Sequence, residues 1–558
     1  MKPTAGVYSE VSNIKSDIFK AKRLSQFFTD ETAEKAKFTG KENHAVINGN
    51  DPQVTSLEYD SRNVKQGSLF FALPGLHTDG SLYIKDAVKK GASVIVHEKD
   101  INENYRDIVF LKVKNARFAM SPISAAFYGH PSRQLLVTGV TGTEGKSTTV
   151  YLIWQLLTLL GKKAGFISTV QHCLGGEVLW NPEHQTTPEA PVVQRLLREM
   201  ADNGCEYAVL ETSSHGLSQK TNRLGDVDFW AGVLTNITHE HLEFHGTWNQ
   251  YRDDKANLFR ALDRYIPPEI SSFPELFGVV NSDDESSQYM EKITGKKIYK
   301  YSPAGRSGDL ILEAIESSRR GNWYLVFVPA LNERIEIRDR LPGAFNSANV
   351  LAALLTVSGF LGVNVKKIAP YVKYLKPVRG RMTAVDKNQP FEVVIDYAHT
   401  PSSFRSIFPP LRSRMNKTGK RIISLFGSPG ERDILKRGEQ GKAAAKYSDI
   451  IILTDEDPRG EDPMGILEEI AKGVMAEQSR TVFKTAAASG TQSESENLYL
   501  ITDRPKAIRT AFSLAKEGDL VILLGKGHEN SIIYADHVMP FYEIEEAEKA
   551  LREMGYSG

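Results

Sequence analysis

At 558 residues the chain is too long for one core and is expected to divide into three or four domains. Hydrophobic residues at 41% and charged residues at 25% are ordinary for a globular protein, and 69 basic side chains balance 69 acidic ones, which argues against nucleic acid or an anionic membrane as partner. No run approaches the ~18 apolar residues of a spanning helix, and the two cysteines, Cys173 and Cys205, offer neither a disulfide framework nor zinc spacing. The cysteines fit a reducing setting, and the opening MKPTAGVYSEVSNIKSD lacks an apolar signal core, so a cytoplasmic protein is expected; a monomer is expected as well.

Residues 1–20 are polar and unpatterned and read as a loose tail. Up to Ser132, short strand patterns (SLEYDSRNV, GSLFFALPG, SVIVHEK) alternate with the helical patterns KDAVKKGA and ARFAMSPISAAFYG. That alternation predicts a small α/β domain over 1–132. Its Asp60-Ser61-Arg62 segment is, by itself, ordinary turn chemistry.

The central domain, 133–377, is organised around one stretch. Leu135, Leu136 and Val137 suit a buried strand, and Gly142-Thr143-Glu144-Gly145-Lys146-Ser147-Thr148 follows. A helical pattern then sets Leu152, Ile153, Leu156, Leu157 and Leu160 on one side until Gly161 stops it. Strand, glycine loop and helix form the context of a phosphate-binding loop, in which backbone N–H groups and the helix N-terminus hold phosphate. Lys146 is placed to reach the β- and γ-phosphates and the Ser147 hydroxyl to sit on Mg²⁺. The spacing departs from G-x-x-x-x-G-K-[ST], because Val140 stands where the first glycine belongs. A nucleotide triphosphate is the expected ligand.

Later apolar runs in this domain each end in polar residues of reactive type. YAVL leads into Glu211-Thr212-Ser213-Ser214-His215, AGVL into Thr235-Asn236 and then His239-Glu240-His241, and FGVV into Asn281-Ser282-Asp283-Asp284. In an open parallel sheet such ends converge on the ligand. Glu211 and His241 are the candidate Mg²⁺ partners, although Mg²⁺ prefers oxygen. Residues 262–276, with three prolines, predict a surface excursion.

From 378 to 558 the same strand-then-polar-loop pattern recurs, predicting a second doubly wound, Rossmann-like domain with no phosphate loop of its own. Residues 485–497 read as a flexible loop. Arg381, Arg432, Lys436, Arg437 and Arg459 are cations suited to carboxylates or phosphates. Asp396, His399, Asp457 and Glu529 suit an amine or a ribose. An ATP site facing groups for both carboxylates and amines suggests ATP-driven amide formation, in which ATP phosphorylates a carboxylate and an amine displaces the phosphate.

The order of these motifs resembles the Mur ligase family and, within it, the tripeptide synthetases. The resemblance spans nearly the whole chain, from Asp60-Ser61-Arg62 to Gly525-Lys526-Gly527-His528-Glu529. Gly142 to Thr149 is similar to the family's G-T-N-G-K-[ST]-T-T, with Glu144 in place of asparagine. Thr186-Thr187-Pro188, Ser213-Ser214-His215, His241-Leu242, His245-Gly246, Leu341-Pro342-Gly343, Asn346, Asn349 and Asp396-Tyr397-Ala398-His399 follow in family order. The resemblance implies an ATP- and Mg²⁺-dependent ligase adding a diamino acid to UDP-N-acetylmuramoyl-L-alanyl-D-glutamate, with small-molecule substrates as its only partners. It implies that Gly142, Thr143, Glu144, Gly145, Lys146, Ser147 and Thr148 hold ATP phosphates, with Asn349, Arg381 and Asp396 at the adenosine end. It also implies that Ser147, Glu211, His241 and Lys255 serve the metal sites, Lys255 as the family's carbamylated lysine. Lys146, Lys255 and His241 would carry the catalysis. Ser61 would hold UDP, Thr186, Thr187, Ser213 and Arg223 the muramoyl-dipeptide, and Arg432, Asp457, Arg459, Gly525 and Glu529 the diamino acid.

Three features depart from the family pattern. The interval from Ser213 to Arg223 is about two residues longer, Gly427-Ser428-Pro429-Gly430 replaces a more glycine-rich loop, and Glu456-Asp457-Pro458-Arg459 stands where Asp-Asn-Pro-Arg is usual for meso-diaminopimelate. Arg459 argues for a second carboxylate on the incoming amino acid. Asp457 is suited to the side-chain amine of lysine or ornithine, or to pairing with Arg459, so the amino acid stays open. A related amide ligase, such as a folylpolyglutamate ligase, and a nucleotide-binding scaffold are the alternatives.

Overall fold

The computed structural model describes residues 21–39, 50–75, 79–101, 105, 107–181, 185–238, 242–267, 274–318, 321–478, 480–483 and 497–558. The tail over 1–20 and nearly all of the 485–497 loop lie outside these; Asn497 itself opens the strand Asn497–Leu500.

Three larger sheets carry the chain. The first is four parallel strands, Ser56–Glu58, Ser68–Phe71, Val94–His97 and Val109–Lys112, in sequence order. Alternation with a period of two sends Leu69 and Phe71 to one face and Phe70 and Ala72 to the other, so both faces are covered. The helix Ala116–Phe127 closes the first face, capped by the Asn115 side chain, which accepts from Phe118 N.

The second sheet has eleven strands. Its parallel centre runs Ala164–Ile167, Tyr207–Glu211, Leu136–Thr141, Ala231–Leu234, Phe277–Asn281 and Lys297–Ser302. Leu136–Thr141 is the strand on either side of which the chain order reverses, and its fully buried sequence LVTGVT needs no polar face. Val140 and Val150 lie in the core on one side of this sheet, Val137 and Leu258 in the core on the other. Both edges end in antiparallel pairs, a feature the sequence reading passed over. Gln171–Cys173 and Val178–Trp180 form a hairpin at one edge, and Leu310–Ser318, Gly321–Val328 and Glu333–Arg338 extend the other. The helix Trp248–Arg264 includes 262–264, so any excursion begins only after Arg264.

The third sheet orders its strands Thr383–Val385, Glu392–Asp396, Leu520–Leu524, Ile422–Phe426, Ile450–Leu453, Asn497–Leu500 and Thr481–Phe483, parallel except for the first pair. Helices cover both faces, with Ile422 and Ile451 packed on one side and Ile423 and Ile452 on the other. The first and second units are tied together by Glu189, which accepts from Arg117 at 2.6 Å and Arg223 at 3.0 Å. No single helix among the described residues is long and apolar enough to cross a membrane. Cys173 and Cys205 are both buried and free.

Candidate active site

The loop after Leu136–Thr141 is shaped by glycines that have no substitute. Gly145 caps the helix Lys146–Leu159 at φ +82°, and a Cβ there would stand 2.5 Å from Asn349 Oδ1. Gly142, at φ +151°, lies so close to Thr235 that a Cβ would overlap its hydroxyl. The loop is braced from the next strand: Thr143 N donates to Asn236 O at 2.7 Å, Glu144 N to Asn236 Oδ1 at 3.0 Å, and Thr235 Oγ1 to Glu144 O at 2.6 Å. The helix has no side-chain cap, so its first-turn N–H groups are not taken up by a capping side chain, as an anion site requires. Lys146 Nζ donates to Thr143 O at 2.7 Å and folds over the loop.

Beneath the loop, Ser147 Oγ donates to Glu211 Oε2 at 2.9 Å, and the same carboxylate oxygen accepts from Thr169 N at 2.8 Å. Strand pairing accounts for this: Glu211 ends Tyr207–Glu211, whose register sets it opposite Val140. Thr187 Oγ1 donates to Glu211 O at 3.0 Å and accepts from Ser213 N and Ser213 Oγ. Arg223 donates to Thr187 O at 2.7 Å and pairs with Glu189. Thr187, Ser213, Arg223 and Glu211 are thus one cluster, and Thr186 lines the cavity beside it. Lys255 is 1% exposed; its Nζ donates to Gly142 O at 2.6 Å and lies over the Tyr251 ring at 4.4 Å. Tyr251 Oη is 3.1 Å from Thr143 Oγ1, a loop contact not foreseen from sequence. His241 lies outside the described residues. Ser61 sits in the first unit, where its carbonyl accepts from Lys90 Nζ, and does not line the cavity.

A cavity of about 760 Å³ opens above the phosphate loop, and its far wall belongs to the third sheet. Asn349 lines it and accepts from Thr149 Oγ1 at 3.2 Å. Arg381, Asp396, Tyr397 and His399 face it from the other side. Arg381 lies over the Tyr397 ring at 4.7 Å, and its buried Nε has no acceptor among the described residues. Asp396 accepts from Met382 N and Ala398 N, both at 2.7 Å; burial pushes its carboxyl up, against the pull of Arg381. Gly380, at φ +77°, packs on the Gly527-His528 backbone, where a Cβ would meet His528 N at 2.5 Å. Burial, and then the charges of Arg381, His399 and Lys526, hold the His528 imidazole well below its usual range and therefore neutral.

Two readings of the charged groups are corrected. Arg437 is not available to a ligand: it is 1% exposed, donates to Glu461 and Glu469 at 2.8–3.0 Å, and reaches Pro429 O. Asp457 does not pair with Arg459. Its Oδ1 accepts from Lys526 Nζ at 2.9 Å and from Ile533 N at 3.0 Å. Lys526 also pairs with Glu529, whose other oxygen accepts from Tyr397 Oη at 3.3 Å. Gly525, at φ +100°, brings the chain against Glu456, where a Cβ would be 3.1 Å from Glu456 Oε2. Arg459 is held at φ +55° by donating its backbone N–H to Ile533 O, and Arg432 is exposed on its loop.

Family models match in the same order as the three sheets: "Mur ligase family, catalytic domain" at residues 53–128, "Mur ligase middle domain" at 140–357 and "Mur ligase, glutamate ligase domain" at 380–527. The chain is 50% identical over 528 residues to the UDP-N-acetylmuramyl-tripeptide synthetase of Treponema denticola, covering 91% of this chain and 96% of that protein. It belongs to the Mur ligase family. A second relative, the UDP-N-acetylmuramoyl-L-alanyl-D-glutamate–2,6-diaminopimelate ligase of Geobacillus kaustophilus, is 36% identical over 513 residues, 91% of this chain and 97% of that protein. A solved structure carrying that same ligase name superposes with a TM-score of 0.57 at 25% identity, covering 90% of this chain and 96% of the other. This Mur ligase is therefore an ATP-dependent ligase of peptidoglycan synthesis.

Proposed function

We propose that this Mur ligase joins a diamino acid to the D-glutamate of UDP-N-acetylmuramoyl-L-alanyl-D-glutamate. The observation that carries the reading is the shared cavity: the phosphate loop and Glu211 form one wall, and Arg381 and Asp396 form the other. The names of the two relatives support the same substrate class.

In this reading the units 1–132, 133–377 and 378–558 take the nucleotide sugar, ATP and the amino acid respectively. Gly142 to Thr148 hold the phosphates of ATP, and Asn349, Arg381 and Asp396 its adenosine end. Ser61 meets UDP, while Thr186, Thr187, Ser213 and Arg223 meet the dipeptide. The D-glutamate γ-carboxylate attacks the γ-phosphorus, giving an acyl phosphate and ADP. The α-amine of the diamino acid attacks the acyl carbon, forming the amide and releasing phosphate and a proton. Lys146 leaves the Thr143 carbonyl for the oxygens of the transferred phosphoryl group.

The Ser147 hydroxyl and Glu211 carboxylate are hard oxygen donors brought to one point, a set that fits Mg²⁺, and a carbamylated Lys255 adds another. Mg²⁺ bound there supplies positive charge against the phosphate oxygens. Arg432, Arg459, Asp457, Gly525 and Glu529 form the amino-acid pocket. The test is phosphate release with ATP, Mg²⁺, UDP-N-acetylmuramoyl-L-alanyl-D-glutamate and, separately, meso-diaminopimelate, L-lysine or L-ornithine. Release requiring all components with at least one amino acid is expected; silence with all three refutes the reading.

A further inference from the structure

Three carboxylates crowd one end of the amino-acid pocket, Glu456, Asp457 and Glu529, at 6%, 9% and partial exposure, with one lysine among them. Lys526 is 1% exposed, and its ammonium bridges Asp457 and Glu529. Burial alone would lower its pKa; the two carboxylates outweigh that and raise it, so the lysine stays charged. Asp457 Oδ1 is further occupied by Ile533 N–H, while Arg459 donates to the carbonyl of that same Ile533. Both selectivity residues are therefore anchored on the backbone of Ile533, Asp457 through its side chain and Arg459 through its own N–H. The negative charge of Asp457 is already answered from behind, and the Arg459 guanidinium has no ion-pair partner among the described residues, its Nε buried without an acceptor.

We propose that Lys526 is a positioning residue that sets the amino-acid specificity: it neutralises Asp457, ties Glu529 to the same point, and so leaves Arg459 as the unmatched charge. The pocket then favours a diamino acid whose far end carries a carboxylate beside its amine, over lysine or ornithine, whose far ends are cationic only. An aspartate where an asparagine is usual becomes equivalent, in net charge, to the neutral residue. Glu456, whose Oε2 is buried without a hydrogen-bond partner among the described residues, is left to meet an ammonium group. With Lys526 uncharged, the three acids would face the ligand together and favour the more cationic amino acid.

This rests on the pocket's assignment to the amino acid, and the experiment separates the two. The ratio of kcat/KM for meso-diaminopimelate to that for L-lysine is measured in the wild type, Asp457→Asn, Lys526→Met and the double variant, alongside thermal melting. The wild type is expected to prefer meso-diaminopimelate. Lys526→Met is expected to lower the ratio by about tenfold or more, chiefly through KM, and the double variant to restore it to within about threefold of wild type. Asp457→Asn, which removes one acid and leaves Lys526 paired with Glu529 alone, should raise the ratio and carries the test if Lys526→Met does not fold. A ratio unmoved by Lys526→Met, a folded double variant that stays low, or a wild type preferring lysine would overturn the proposal. Failure of the functional reading itself appears differently, as no phosphate release by the wild type with any diamino acid.

Discussion

The phosphate loop and the charged cluster around Lys526 are built from different materials. The loop is made of backbone: Gly142 and Gly145 in conformations denied to other residues, amides at a helix start, and contacts from Asn236 that hold peptide groups. That cluster and its surroundings in the third unit are made of charges cancelling in pairs across the fold: Lys526 with Asp457 and Glu529, Arg437 with Glu461 and Glu469, Arg504 with Glu543. A backbone site is specified by a few consecutive residues. A charge site is specified by which partner each group finds, so a list of arginines says little about which are free.

The sharpest way to break the contrast is at Lys146, the one loop side chain required to move. Lys146→Ala should lower ligation by roughly 10³-fold or more while changing the melting temperature little, because its present partner is a single carbonyl. Near wild-type phosphate release would sink the account of the loop. Arg437→Met tests the opposite expectation for a paired cation. Removing a 1%-exposed guanidinium from two carboxylates should cost roughly 3 kcal/mol in urea unfolding. Its KM for the diamino acid should stay within about twofold, since no ligand contact is lost. A large KM effect with unchanged stability would return Arg437 to the binding set.

Gly145→Ala probes the backbone site. An alanine at φ +82° and within 2.5 Å of Asn349 should cost roughly 1–2 kcal/mol and raise the KM for ATP more than that for the amino acid. Equal effects on the two would show the loop to be a general structural turn. The smallest expected effect concerns Asp455, whose carboxyl burial pushes up to about 6 although Tyr534 Oη donates to it. Its folded pKa lies above the unfolded value near 3.9, so the folded state binds the extra proton. Stability should therefore fall as the pH rises from about 4 to about 6 and stay lower above that. Asp455→Asn should recover roughly 1–2 kcal/mol at pH 7.5 and nothing at pH 4, read from thermal melts at both. A gain independent of pH would show that the charge is not the cause.

Much of the fold was legible because its parallel strands are buried on both faces and read as short apolar runs ending in polar groups. The Leu310–Ser318 strand, parallel to Lys297–Ser302 but antiparallel to Gly321–Val328, is mostly exposed and rich in glutamate and serine; it gives no such run and was missed. The antiparallel hairpin of Gln171–Cys173 and Val178–Trp180 was missed for the same reason: its three-residue strands are mostly exposed or half-buried.

The sequence by itself determined the phosphate loop, its strand and helix, the order of the motifs and the family, because each depends on contiguous residues whose steric needs are local. Tertiary structure decided which charges are free. Asp457 and Lys526 lie 69 residues apart, on the segments after two strands that flank Ile422–Phe426 in the sheet, and meet only through the fold. Electrostatic energy depends on distance and burial, and neither is a property of a residue's neighbours in the chain.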